Sequence, residues 1–207
     1  MKRKLVCLCE YEFEQEIPES VDLSREPHVE QDILDGEFLT ARCPNCGKLL
    51  KPEFPVLIRD PASETTLYLV PELDRGSFYR GAFSYPSGEV TRVVIGYDEL
   101  VEKFLIKRAG LDDRVVELLK YYILQKALDS DSEEREVRIL FYALEHDELV
   151  FHAHGLKEGE VGVLRVGRAM AEKAAAQLED KKRQEPFAQI LAGPYVSVNK
   201  IMTEFPE

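Results

Sequence analysis

Four residues carry the most pointed chemistry in this chain: Cys7, Cys9, Cys43 and Cys46, all within the first quarter of 207 residues. Thiols gathered in this way either pair as disulfides or, as thiolates, bind a cation, and clustering in one short region favours the cation in a reducing compartment. Cys43-Pro44-Asn45-Cys46-Gly47 is the sharper half. Two intervening residues and a following glycine let the backbone turn so that both sulfurs point inward and nearby N–H groups reach them. Tetrahedral zinc with bonds of about 2.3 Å needs neighbouring sulfurs roughly 3.8 Å apart, which such a turn supplies.

The other half, Cys7-Leu8-Cys9, has one intervening residue, so the same turn is not expected. An extended strand would solve the problem, because residues two apart share a face and Leu8 would point away. The alternative is that only one of Cys7 and Cys9 binds, with Cys7 serving as a small buried apolar residue. Four cysteine ligands would leave no open position, which marks the ion as structural rather than catalytic. Zinc is the expected metal, and the same ligands could hold iron as a redox centre, which would colour the protein.

Other chemistry is sparse. His152 and His154 share one face of an expected strand, with His146 or Asp147 as conceivable third ligands, but partly exposed strand histidines are the simpler expectation. His28 reads as a loop residue. No phosphate-cradling glycine pattern, GxSxG turn or HExxH helix is present. Carboxylates are abundant, yet pairing them into an acid/base couple needs distances that a sequence does not give. Enzymatic activity is unsupported rather than excluded.

The elements that must position these residues follow from pattern. "CEYEFEQEIP" alternates, with Tyr11, Phe13, Gln15 and Ile17 on one face and glutamates on the other, as in a half-buried strand. Residues 10–37 hold eleven acidic side chains and one arginine, read as a solvated, edge-protecting face, or else as a dock for a basic partner. "FPVLIRD" and "TTLYLVPE" form a hairpin across "DPAS", and "SFYRGAFSY" with "EVTRVVIG" a second one at Pro86-Ser87-Gly88. Asp98 would cap a helix burying Leu100, Val101, Phe104 and Leu105, ending near Gly110. The next helix, "DRVVELLKYYILQKAL", is apolar around most of its circumference. It is therefore a central core helix, or one that also packs on a second copy of the chain. Beyond the charged linker "LDSDSEERE", a hairpin turning at His146-Asp147-Glu148, the strand "EVGVLRVG" and a helix with Met170, Ala171, Ala174 and Leu178 on one face complete a smaller unit. The tail "PFAQILAGPYVSVNKIM" is expected as an edge strand.

A formal charge of −12, without a clustered basic face, argues against nucleic acid as a partner. The longest apolar runs fall far short of a membrane span, and the basic opening "MKRKLVCLCE" loses its apolar run at Glu10, too soon for an export signal. A cytoplasmic location is the expectation.

At the cysteines the chain resembles the CpXC-domain proteins of bacteria and archaea. The likeness is carried by Cys43-Pro44-Asn45-Cys46-Gly47, by "PVLIRDPASETTLYLVPE" and by "RVVIGYDELVEKFLIKRAGLDDRVVELLK" at 92–120. The family usually has Cys-Pro-x-Cys in the first pair as well; here that pair is shortened and lacks proline. The resemblance implies a zinc-ribbon module attached to an α/β region, and a metal site, but no activity.

Together these readings predict an α+β protein with two parts. Residues 1–128 form a CpXC-like domain with an N-terminal zinc ribbon on an antiparallel sheet with packed helices. Residues 129–207 form a C-terminal hairpin, strand and helix unit, either standing alone or extending that sheet. The expected function is that of a protein-interaction or scaffold module, as a monomer or homodimer, with Cys7, Cys9, Cys43 and Cys46 as ligands. The alternative is an enzyme with a pocket between ribbon and main sheet.

Overall fold

A computed structural model describes residues 1–128 and 137–201, and the chain divides into two compact units, Met1–Val101 and Glu102–Glu207. Of the expected linker at 128–136, Leu128 ends a helix and the rest lies outside the described residues.

The first unit opens with an antiparallel hairpin of β1 (Lys2–Val6) and β2 (Glu12–Glu16). Its alternation is the one read from sequence: Leu5 and Ile17 are buried while the glutamates face water. Those glutamates meet lysines across the pair, Glu14 with Lys2 at 3.7 Å and Glu12 with Lys4. Each such exposed pair contributes about 0–1 kcal/mol, so they set register more than stability. After β3 (Ser20–Asp22), α1 (His28–Leu34) buries Val29 and Ile33. Two short strands, β4 (Ala41–Arg42) and β5 (Leu49–Leu50), flank the second cysteine pair.

The main sheet of this unit adds β6 (Val56–Asp60) and β7 (Thr65–Val70), joined through a 3-10 turn at Pro61–Ser63 as the "DPAS" signal indicated. α2 (Arg75–Tyr79) and β8 (Arg92–Ile95) follow, and the strand order is β3-β6-β7-β8. The central β6–β7 pair is antiparallel, but both outer pairs are parallel, so the sheet is mixed. The expected hairpin at residues 86–88 is corrected here. The start of its first arm, Ser77–Tyr79, is helical in α2 and the remainder to Tyr85 forms no strand; Arg75 anchors the helix by donating to Glu99 and to the Ile95 carbonyl, and residues 71–91 supply the crossover that a parallel neighbour requires.

α3 (Gly96–Arg108) begins two residues before the expected cap. Gly96 has φ +76°, and a Cβ there would collide with the Glu72 carboxylate, which is why glycine occupies the position. Asp98 lies in the first turn, and Glu99 takes up the Ile95 N–H at 2.9 Å. Leu100 and Phe104 are buried as expected, Val101 and Leu105 partly so, and the helix gives way at Gly110 with φ +65°.

The second unit contains α4 (Asp113–Leu128), β9 (Arg138–Glu145), β10 (Glu148–Lys157), β11 (Glu160–Gly167), α5 (Arg168–Lys181) and α6 (Phe187–Leu191). The three strands form an antiparallel sheet in the order β11-β10-β9. His146 and Asp147, with φ 46° and 68°, make the tight left-handed turn of the β9–β10 hairpin at the place predicted. α4 is the core helix: Val115, Val116, Leu118, Leu119 and Leu124 are buried in one cluster with Phe141, Leu149, Phe151 and Ile190. Its wide apolar girth is thus spent against neighbours within its own unit, and each fully buried aliphatic contributes roughly 1.5–3 kcal/mol.

Two expectations fail at the C-terminal end. Met170 is 57% exposed, because the buried stripe of α5 runs through Ala171, Ala174 and Leu178, one residue further round the helix. The tail is no edge strand: Phe187 and Ile190, three apart, bury one face of α6, and Tyr195, Val196 and Val198 pack as core ahead of a 3-10 turn at Val198–Ile201.

Candidate metal centre

The structure brings Cys7, Cys9, Cys43 and Cys46 together. Their sulfurs lie within 4.8 Å of one another, with Cys7–Cys46 at 3.6 Å and Cys9–Cys43 at 3.7 Å. A tetrahedron of thiolates with bonds of about 2.3 Å has edges of roughly 3.8 Å, so the cluster has the dimensions of a closed four-sulfur site. Among the described residues, no other group of three or more His, Cys, Asp or Glu side chains converges in this way. Such a set could hold a metal ion.

Two turns of matching design create the cluster. In the second pair the Cys43 N–H donates to the Lys48 carbonyl at 2.9 Å and the Gly47 N–H to the Cys43 carbonyl at 2.9 Å, while the Lys48 amide donates to the Cys46 sulfur. Gly47 sits at φ +73° with open space where a Cβ would be, so conformation rather than crowding selects glycine. The first pair repeats this with one residue fewer. The Cys7 N–H donates to Tyr11 O at 3.0 Å, the Glu10 N–H to Cys7 O at 2.8 Å, and the Tyr11 amide to the Cys9 sulfur. Glu10, at φ 66°, occupies the left-handed position that Gly47 fills in the other turn.

This corrects the extended-strand expectation for Cys7-Leu8-Cys9. β1 ends at Val6, and Cys7 to Tyr11 form a tight hairpin loop whose left-handed residue, Glu10, turns both sulfurs inward. Leu8 does point away, at 79% exposed. The missed signal was the "EY" after Cys9: a backbone able to take the left-handed well there does the work of the glycine, and a glutamate conceals it.

Burial and electrostatics complete the site. Cys7 and Cys43 are buried and Cys9 and Cys46 exposed, so one side of the cluster faces the module and the other faces water. The Tyr11 amide and the Asn45 side chain donate to Cys9 and lower its pKa to about 6. At Cys46 the Lys48 amide also favours the thiolate, but the neighbouring Cys9 and Cys7 sulfurs outweigh it and push the pKa up to about 12. Cys9 and Cys46 are thus driven in opposite directions, as happens where thiols that would share like charge are crowded into one small space.

The remaining candidates disperse. His152 stacks on Tyr142 with centroids 4.0 Å apart, and its pKa is lowered by burial and then by nearby His154. His152 and His154 have centroids 6.4 Å apart and gather no third ligand among the described residues, and His28 faces Asp32 at 3.9 Å on the exposed side of α1. Pattern reading also missed a buried charged cluster in the second unit. Lys120 donates to both Glu102 oxygens, at 3.0 and 2.9 Å, and to Glu117 at 3.0 Å. Glu102 also accepts the Phe141 N–H at 2.7 Å and Glu117 the Val198 N–H at 2.8 Å. Every carboxylate arm is spent on the fold, which ties α3, α4, β9 and the tail together, and the group is sealed from solvent. The signal was the charged pair Glu117 and Lys120, three apart within the apolar middle of the helix.

Residues 5–120 match the family described as CpXC protein. A Treponema pallidum (strain Nichols) protein, named as an uncharacterized protein, is 25% identical over 219 residues that take in 97% of this chain and 99% of that relative. No solved structure matches. The family match spans more than half of the sequence and encloses both cysteine turns, and the chain belongs to the CpXC family.

Proposed function

We propose that Cys7, Cys9, Cys43 and Cys46 hold one structural Zn2+ and that the ribbon fixed by this ion is a protein-interaction module working in a reducing compartment. The separations of 3.6 and 3.7 Å between sulfurs of the two turns carry the reading, because they match thiolate–zinc geometry before any ion is added. Four protein ligands leave no site for water or substrate, so the ion's contribution is to join two hairpins that have little core of their own.

The interaction role is supported by what the same hairpins expose. Val6 is 62%, Leu8 79%, Tyr11 44% and Leu49 47% exposed, and all four lie on or beside the two ligand-bearing turns. Single exposed apolar residues are ordinary, whereas several on one rigid tip mark a contact surface.

Purified protein is expected to contain one zinc per chain and to be colourless. A red protein containing iron would replace the structural reading with a redox one. For the interaction, affinity purification of wild type is compared with Leu8→Asp, which leaves the ligands in place. Partners lost in the variant at unchanged zinc content support the proposal; an identical partner set contradicts it.

A further inference from the structure

The sheet of the second unit has two edges, and they are treated differently. On β9 the Phe141 N–H is taken by the buried Glu102 carboxylate at 2.7 Å. On β11 no described strand, helix or side chain pairs with the outward backbone groups. β11 is only lightly protected: its eight residues, Glu160–Gly167, include no proline and no lysine, its central charge Arg165 is already paired with Glu145, and its pairing with β10 holds one register from Gly167 to Gly162 before shifting at the Lys157–Glu160 end. Its outer face shows Val161 and Val163, 48% and 58% exposed.

The free groups can be identified. The Arg168 N–H donates to the Asp147 carbonyl at 2.9 Å, in register with the β10–β11 ladder. Alternation along the strand then turns Val166, Leu164 and Gly162 toward β10 and leaves the N–H and C=O of Val161, Val163, Arg165 and Gly167 on the open edge.

We propose that β11 is the pairing edge of a symmetric dimer, in which a second copy adds its own β11 antiparallel to the first and the two three-stranded sheets become one. A two-fold axis through Leu164 is the register that uses all four open residues: Val161 faces Gly167 and Val163 faces Arg165 of the other copy, with about eight main-chain hydrogen bonds formed. The same register sets Glu160 of each copy opposite Arg168 of the other, giving two opposite-charge pairs by symmetry. At present Glu160 pairs with Lys157 at 2.6 Å, and Arg168 lies 3.7 Å from Asp147 and from Glu172, all on the exposed surface and free to exchange. This self-complementarity is what selects a second copy over an unrelated extended peptide. The inference concerns the second unit and does not depend on the metal.

Sedimentation equilibrium of the full chain at micromolar concentration tests it, with twice the 23.7 kDa chain mass expected. Val163→Pro removes an N–H that points away from β10, so the internal ladder survives while the new one is blocked, and the variant is expected to sediment as a monomer with an unchanged circular dichroism spectrum. Glu160→Arg should weaken the dimer on the order of tenfold, and Glu160→Arg combined with Arg168→Glu should restore it. A monomeric wild type, a monomer that takes up an extended peptide at this edge, or a dimer indifferent to both the proline and the charge exchange would overturn the proposal.

Discussion

Replacing Lys120 with methionine keeps the length of the side chain and deletes its ammonium. The group removed sits at 1% exposure and makes contacts of 2.9–3.0 Å with Glu102 and Glu117, themselves 2% and 1% exposed. At these distances one ion contact amounts to about 5 kcal/mol at an effective dielectric near 20, most of which offsets the cost of burying the charges. Lys120→Met removes the offset and leaves the cost. The expected loss is about 3–5 kcal/mol, a large part of the 5–15 kcal/mol typical of a domain. The pH dependence gives the mechanism away. Burial pushes the Glu102 pKa up, Lys120 opposes this, and Glu117 adds to it, with an upward shift as the result. A carboxylate with a raised folded-state pKa binds a proton more readily folded than unfolded, so its penalty appears as pH rises and fades on acidification. Without Lys120 that penalty grows, and the deficit of the variant should be larger at pH 8 than at pH 5. Urea unfolding followed by far-UV circular dichroism measures both. A loss below 1 kcal/mol at pH 8, or a deficit that widens on acidification, would refute the reasoning.

The paired turns make opposite predictions at equivalent positions. Glu10→Gly relieves a left-handed residue and should stabilise the metal-bound ribbon by about 0.5–1 kcal/mol, whereas Gly47→Ala should cost about 1–2 kcal/mol through backbone strain alone, since its Cβ would meet nothing; competition with a chromophoric zinc chelator ranks the three proteins. At the alkaline end, the Lys120 pKa is raised because Glu102 and Glu117 outweigh its desolvation. Its stabilisation should therefore persist to about pH 10.5 and decline only above it, and an unfolding curve already falling near pH 8.5 in wild type but not in Lys120→Met would contradict this.

Local pattern made much of the fold legible. The hairpins at Pro61–Ser63 and His146–Asp147 and the helices α3 to α5 are legible in the residues to within a position or two, because alternation, turn residues and helical spacing act over short stretches. The errors have non-local causes. β8 pairs with β7 in parallel because of a crossover that no short window reveals, and the tail folds as α6 and core because Phe187 and Ile190 find a surface on the second unit's cluster. For the site, four cysteines in one region sufficed to name the ligand set, but the form of the first turn was hidden. A left-handed Glu10 looks like any other residue of an alternating acidic strand until its φ of 66° is seen. The buried cluster of Glu102, Glu117 and Lys120 was equally hidden, since charges on a helix read as solvent-facing until their partners from other elements are in place.

Zinc K-edge X-ray absorption on the protein as purified tests the central claim most directly. One zinc per chain with four sulfur neighbours at about 2.3 Å is expected, and three sulfurs plus one oxygen or nitrogen at about 2.0 Å in Cys9→Ser. A nitrogen or oxygen neighbour in the wild-type spectrum, or protein purified without chelators that contains no metal, would contradict it.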